Sequence, residues 1–327
     1  MKTAILYGAG DLRLDERPLD PDSLRPEEVY VETEVTALST GTDLGNYLGD
    51  STYVPGAPDY PRQIGYSNVG KVCRVGENVK ALGVGQRVFS LRPHQSSFIA
   101  RQDELLVPVP PEVPSEQAAL AYLTHLGLAA LRQARYEPGE NVAVVGLGVI
   151  GLCTAGLARA MGASVLAVAN SELRARKAAE IGAHLSPVWG DAGADIVVLT
   201  ANTWEAYRLS VDLARYGGRV SVLGFPGRAQ PAPDFNPFDP RWLYAKQLTI
   251  LGAGAAPTID CPPTEIRFNR RRNLAYILDL MASGALNLEP VISHRLPAAR
   301  MKEAYELAAD HSKGLIAAVF DWREEHS

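Results

Sequence analysis

The sequence predicts an α/β protein in which a parallel sheet covered by helices on both faces is joined to an irregular β-rich region. Three observations predict it. Beyond residue 112, short apolar runs alternate with helix-patterned segments; one of those runs leads directly into a glycine-rich turn; and the residues before 112 hold short β-type runs broken by Gly, Pro and Asp.

The β-type runs come first, at 29–38, 69–75, 87–90 and 97–100. Between 50 and 65 lies a Pro- and Tyr-containing segment, too polar for a strand, whose Tyr53 and Tyr60 are candidates for a lid loop. Prolines in 107–111 argue against regular structure and mark a boundary. Residues 115–134 then read as one helix with Ser115 as N-cap, and 141–145 as a buried strand. The alternation continues with a helix over 149–161, a strand over 164–169, a helix over 171–181 closed by Gly182, and strands over 196–200, 219–223 and 248–251. Strand and helix at this spacing imply parallel pairing with both faces covered. Helices over 272–282 and 298–309 and a strand-like run over 315–321 complete the chain. The expected domains are 1–112 with 253–327, and 113–252.

Composition bounds the function. Of the 327 residues, 46% are apolar and 21% charged, and the net charge of −5 gives no diffuse basic field for nucleic acid or an anionic membrane. A small-molecule partner is expected instead. The first residues run straight into Gly8 and Gly10 without the apolar stretch of a signal peptide, and no segment reaches the roughly 18 apolar residues of a membrane helix, so a cytoplasmic location is expected. Cys73, Cys153 and Cys261 are too few and too scattered for a disulfide framework or a metal clip, and read as reduced packing residues.

The turn Gly146-Leu147-Gly148-Val149-Ile150-Gly151 follows an apolar strand and opens a helix free of early proline. In that context backbone N–H groups and the helix N-terminus face a pyrophosphate: Gly146 permits the tight turn, Gly148 close backbone approach and Gly151 packing of helix on strand. The next strand ends in Ala169-Asn170-Ser171, without the carboxylate that would accept the ribose hydroxyls of NAD. Asn170, Ser171, Arg174 and Arg176 offer amide, hydroxyl and guanidinium donors to a 2′-phosphate, which favours NADP (as NADPH) over NAD; the alternative for the arginines is a solvated helix face. Thr200, at the end of a later strand, is placed with the cofactor set.

Three segments in order, Ser39-Thr40-Gly41-Thr42-Asp43, then Gly65-Tyr66-Ser67-Asn68-Val69-Gly70, then the 146–151 turn, resemble the medium-chain dehydrogenase/reductase superfamily over essentially the whole chain. The resemblance implies a GroES-like β-rich catalytic domain plus a Rossmann doubly wound parallel sheet, and a homodimer formed through the sheet edge near 248–251. The first two segments and the tail 287–295 are most similar to a subgroup with bacteriochlorophyllide hydroxyethyl dehydrogenases and sugar or cyclitol oxidoreductases. Zinc-dependent members hold their metal with a Cys, a His followed by Glu, and a third Cys or acid. The matching positions here are Thr40, Tyr66-Ser67 and Ala121 or Tyr122, none of which ligates zinc, and no cysteine cluster exists for a structural zinc. No zinc is expected.

Zinc-free members of the superfamily are largely reductases of conjugated C=C bonds, in which charge spreads onto an enolate that hydrogen bonds stabilise. The leading expectation is therefore a zinc-independent, NADPH-dependent enone reductase acting on a small polar molecule. The alternatives are a metal-free carbonyl reductase or alcohol dehydrogenase acting on a sugar or cyclitol, and a non-catalytic NADPH-binding sensor. Thr42 matches a proton-relaying hydroxyl and is either a donor to a substrate oxygen or a loop hydroxyl bonded to backbone. Tyr66 either fills the vacated metal position or donates to an oxyanion. Asp43, a catalytic candidate after the relay position, is expected to orient its neighbours rather than to transfer protons. His125, on an otherwise apolar helix, is either an active-site donor near nicotinamide or a core histidine, and His94 either reaches the site or packs. The run Arg270-Arg271-Arg272, with Arg267, recognises an anionic substrate group or starts a solvated helix; His294 and Arg295 read as structural.

Overall fold

The computed structural model describes residues 1–49, 59–254, 268–310 and 314–326; Tyr53, Cys261 and Arg267 lie outside them. The chain divides into two compact units, Met1–Tyr122 with Leu274–Ser283 and Ile292–Ser327, and Leu123–Asn273 with Gly284–Val291. The first division thus falls later than the proline-rich 107–111 segment. Val107 and Pro108 in fact pair with Phe89 and Val88 as a short antiparallel strand, because an outermost strand asks little of the proline that cannot donate.

The first unit is β-rich. The strand Glu28–Ala37 alternates inward Val29, Val31 and Val35 with more exposed neighbours, the period of two that half-buries a strand. It pairs antiparallel with Asn68–Val75, Ser97–Arg101 and Ala318–Asp321, the last bringing the C-terminal part of the chain beside the N-terminal part. That tail strand begins at Ala318, later than the expected 315. A smaller sheet orders Asp11–Glu16, Lys2–Gly8 and Arg62–Gln63. The core of this unit gathers Leu6, Leu38, Leu44, Tyr47, Ile64, Tyr305, Phe320 and Trp322.

The expected helix 115–134 is two helices, Ser115–Ala118 and Ala121–Gln133. Pro114 takes the N-cap position, and the Ser115 hydroxyl donates instead to Glu34 Oε2 at 2.5 Å. A serine with a carboxylate in reach has a stronger acceptor than backbone, and the cap is left to the fixed φ of proline.

Among the described residues the second unit holds five parallel strands in the spatial order Ser164–Val168, Asn141–Val145, Ala194–Leu199, Ala214–Val222, Thr249–Gly252. The order reverses at Asn141–Val145, so its carboxyl end faces the crevice where open α/β sheets take ligands. Val142, Val144 and Val197 are fully buried, as strands covered on both faces require. Among the described residues no helix is long and apolar enough to cross a membrane.

Candidate active site

In the second unit the strand Asn141–Val145 ends in Gly146, whose φ of +97° only glycine adopts without strain. Its carbonyl accepts the Thr200 hydroxyl at 2.6 Å, which pins the turn to the neighbouring strand's end. A Cβ on Gly151 would stand 1.8 Å from the Gly146 oxygen, whereas one on Gly148 would meet nothing within 4 Å. The helix Val149–Ala160 starts from Gly148 with no side-chain cap, so open space lies before unsatisfied N–H groups. Leu147 and Val149 are buried and support the turn from below.

Beside the turn, Arg174 folds back: its Nε donates to the Leu147 carbonyl at 3.1 Å and its Nη1 to Asn170 Oδ1 at 3.3 Å. Ser171 caps the helix Glu172–Glu180, accepting the Arg174 N–H at 3.4 Å. Residues 168–171 carry no carboxylate. This set leaves room for a dinucleotide: the face at Gly148 is open, as close approach of a pyrophosphate requires, and Arg174, Asn170 and Ser171 lie together at the end of the next strand. Arg176 does not join them; it is exposed and pairs with Glu180 one helical turn away. His125, in the same unit, is fully buried, and its imidazole is pushed down to about 4 by burial and by the charges of Arg270 and Arg132. Arg132 and Arg272 both stack on Phe268, at 3.5 and 5.3 Å from its ring centre.

The first unit assembles the predicted side chains Thr42, Asp43, Tyr66 and His94. The strand Glu28–Ala37 delivers Ser39 to the turn before the helix Thr42–Leu48, and Asp43 in its first turn reaches back to accept the Ser39 N–H at 3.0 Å. The other carboxyl oxygen accepts the Gly65 N–H at 3.3 Å. One buried carboxyl therefore ties the loop that carries Thr42 to the residue before Tyr66. Burial raises its pKa to about 7, against the pull of those two backbone donors.

The Tyr66 hydroxyl lies near those of Ser39 and Thr42, which act on its ionisation, and its ring packs edge to face on Tyr122, with ring centres 5.4 Å apart. Burial, then the charge of Asp43, raise its phenol far above the ordinary range. Ser67, the next residue, is buried and donates to the Ala119 carbonyl at 2.5 Å. Thr42 is exposed. His94 does not reach open space: it is fully buried, seated against Gly65, with Nδ1 2.8 Å from the Thr36 hydroxyl. Ser39, Thr36, Trp322 and Tyr305 were not singled out from sequence. Ser39 stands inside the quoted motif, but Trp322 meets Thr36 only through the tertiary fold, and no local pattern announces it.

The donor set does not suit a catalytic zinc. Thr40, Tyr66 and Ala121 or Tyr122 supply neither thiolate, imidazole nor carboxylate, and two of those positions are in contact as aromatic rings. Among the described residues no group of three His, Cys, Asp or Glu side chains is placed to hold a metal. The residues do not fit a catalytic zinc.

Comparison with known proteins gives two family matches: residues 25–106 to the alcohol dehydrogenase GroES-like domain and 149–265 to zinc-binding dehydrogenase. L-galactonate-5-dehydrogenase of Escherichia coli is 27% identical over 323 residues, covering 85% of this chain and 87% of its own. Galactitol-1-phosphate dehydrogenase from Escherichia coli superposes with a TM-score of 0.79 at 20% identity, covering 98% of this chain and 100% of its own. A zinc-binding dehydrogenase of Sinorhizobium meliloti bound to NADP superposes with a TM-score of 0.76 at 21% identity, covering 98% of each chain.

Proposed function

Given that the chain belongs to the medium-chain dehydrogenase/reductase superfamily and is an oxidoreductase, we propose that it interconverts an alcohol and a carbonyl on a small sugar- or cyclitol-like molecule, with NADP(H) and without zinc. The observation that carries the reading is the nearness of the Tyr66 hydroxyl, at a position matching a zinc ligand of the family, to the hydroxyls of Thr42 and Ser39. The polyol and sugar-acid dehydrogenases among the relatives support an alcohol substrate. The Arg174, Asn170 and Ser171 grouping and the NADP-bound neighbour support the phosphorylated cofactor.

NADP(H), when bound, supplies or accepts the hydride. Thr42 and Tyr66 hydrogen-bond the substrate oxygen and stabilise its developing charge, the work a metal does elsewhere. A phenol held protonated is suited to donate rather than to act as a base. Asp43 holds the two hydroxyl-bearing segments together.

A second reading, reduction of an enone C=C, is favoured by the same vacated positions, since an enolate needs hydrogen-bond donors rather than a Lewis acid. Product analysis on a cyclic enone with NADPH separates the two: an allylic alcohol supports the first and a saturated ketone the second. Oxidation of sorbitol, galactitol and inositol with NADP checks the substrate class. Stoichiometric, tightly held zinc in the purified protein overturns the metal-free assignment, and tight NADPH binding with no turnover on any of these compounds overturns catalysis in favour of a sensor.

A further inference from the structure

Behind the two hydroxyls lies a buried polar chain that the proposed reaction does not use directly. The Trp322 indole donates to the Thr36 hydroxyl at 2.9 Å, and that hydroxyl stands 2.8 Å from His94 Nδ1. An indole N–H can only donate, so Thr36 accepts there, and among the described residues Nδ1 is the acceptor within hydrogen-bond distance for its own proton. With that proton given to Nδ1, His94 carries its own on Nε2. That nitrogen has no hydrogen-bond partner among the described residues and stands 3.9 Å from Asp43 Oδ2. Gly65 keeps the ring there: a Cβ on it would come within 2.5 Å of the imidazole.

Asp43 is 1% exposed, and among the described residues no Lys or Arg is paired with it. The titratable groups facing this chain are Tyr66 on the segment after Gly65, Tyr122 against Tyr66, and Tyr305 from the helix Met301–Ala309. Glu306 acts on Tyr47, which shares the helix of Asp43. The Tyr305 hydroxyl is buried without a partner among the described residues and feels the Asp43 charge. Beside the two backbone N–H groups, His94 Nε2–H, 3.9 Å away, is a side-chain donor stationed to close on the carboxylate when it ionises.

We propose that His94 and Asp43 form one positioning unit for the catalytic hydroxyls: the Asp43 carboxyl clamps the backbone of Ser39 to that of Gly65, and His94, as a neutral N–H donor, fixes the orientation and charge state of that carboxyl. The clamp holds Thr42 and Tyr66 at their working separation. The unit rests on the reading of those two hydroxyls as catalytic. Neither His94 nor Asp43 touches substrate; both act through the segments they tie. Burial holds His94 at about 3, so it stays neutral through the working range, and the proton exchanged near neutrality belongs to Asp43.

The test follows the Asp43 carboxyl C=O band by infrared difference spectroscopy against Asp43→Asn, with NADP bound, across pH. In His94→Leu the midpoint of its disappearance moves up by about one pH unit, because the charged form loses its donor; in His94→Gln, which restores an N–H, it stays near the parent value. In parallel, kcat for the best alcohol substrate falls by about tenfold or more in His94→Leu with little change in KM, and recovers in His94→Gln. A midpoint unmoved by His94→Leu, or moved equally by both variants, overturns the proposal. Should Tyr66→Phe leave turnover intact while the midpoint shifts as expected, the catalytic reading fails and the His94–Asp43 pairing stands.

Discussion

The glycine turn and the hydroxyl cluster are built on opposite principles. The turn works through backbone and empty space: three glycines within six consecutive residues, with N–H groups facing an open volume. The cluster works through side chains drawn from Thr36, Asp43, Tyr66, His94 and Trp322, held in a buried network with few spare partners. The first fails when an atom is added. The second fails when a polar atom is removed, because a buried group left without its partner keeps its desolvation cost.

The sharpest break of that contrast is at Gly148 and Gly151. Gly148→Val adds atoms where nothing lies within 4 Å, on a backbone at φ −73° and ψ −173° that any residue tolerates. Its thermal midpoint stays at the parent value, while NADPH affinity, read by fluorescence titration, falls on the order of 1,000-fold, about 4 kcal/mol. Gly151→Ala instead loses stability itself, since its Cβ meets the Gly146 carbonyl. Parent-like NADPH affinity in Gly148→Val would remove the turn from the cofactor site.

On the other side of the comparison, Tyr66→Phe removes one hydroxyl and leaves the ring that packs on Tyr122. The expected loss in kcat is about 100-fold, the scale of one donor to a developing oxyanion, with KM changed far less. Unaltered turnover takes Tyr66 out of the reaction.

The same contrast explains what could be read in advance. The parallel strands and the glycine turn were legible because they are periodic or local: apolar runs of about five residues, then Gly-x-Gly-x-x-Gly. The motif segments with Thr42, Asp43 and Tyr66 were legible as a pattern. The His94 seat was not, since it depends on Gly65 and on Thr36, both distant in sequence, and its choice between reaching the site and packing is settled by a burial that residue identity does not encode. Ser115 was misread as the N-cap because its hydroxyl is claimed by Glu34, a tertiary partner, and no sequence pattern accounts for the break between Ala118 and Ala121.

Arg174 and Arg176 sharpen the comparison within one helix. Arg174 lies over the turn and bonds Leu147 and Asn170, whereas Arg176 is exposed beside Glu180. Arg174→Ala is expected to weaken NADPH by about 10- to 100-fold, the worth of charge-assisted hydrogen bonds, with NADH much less affected. Arg176→Ala leaves both affinities near the parent values, measured by the same titration. Equal losses for the two cofactors in Arg174→Ala would refute a 2′-phosphate site.

A last effect concerns stability against pH, and its sign follows from two groups shifted in opposite directions. Asp43 is raised from 3.8 to about 7, so between those values the folded state holds a proton the unfolded chain has lost, and stability falls as pH rises. His94 is lowered from 6.5 to about 3, so in that window the unfolded chain holds the extra proton, and stability rises with pH. From about pH 4 to 6.5 the two contributions oppose each other, while His125, lowered to about 4, adds a rise of its own. Removing one member of the pair exposes the other. Relative to the parent, His94→Gln should lose about 1.4 kcal/mol per pH unit of the rise across this window, and Asp43→Asn should gain a rise of similar slope. Urea denaturation at half-unit steps measures both differences. Parallel curves for parent and variants would mean that the two side chains do not carry opposed protons in the folded state, and would cost the hydroxyl cluster the buried charge balance that sets it apart from the turn.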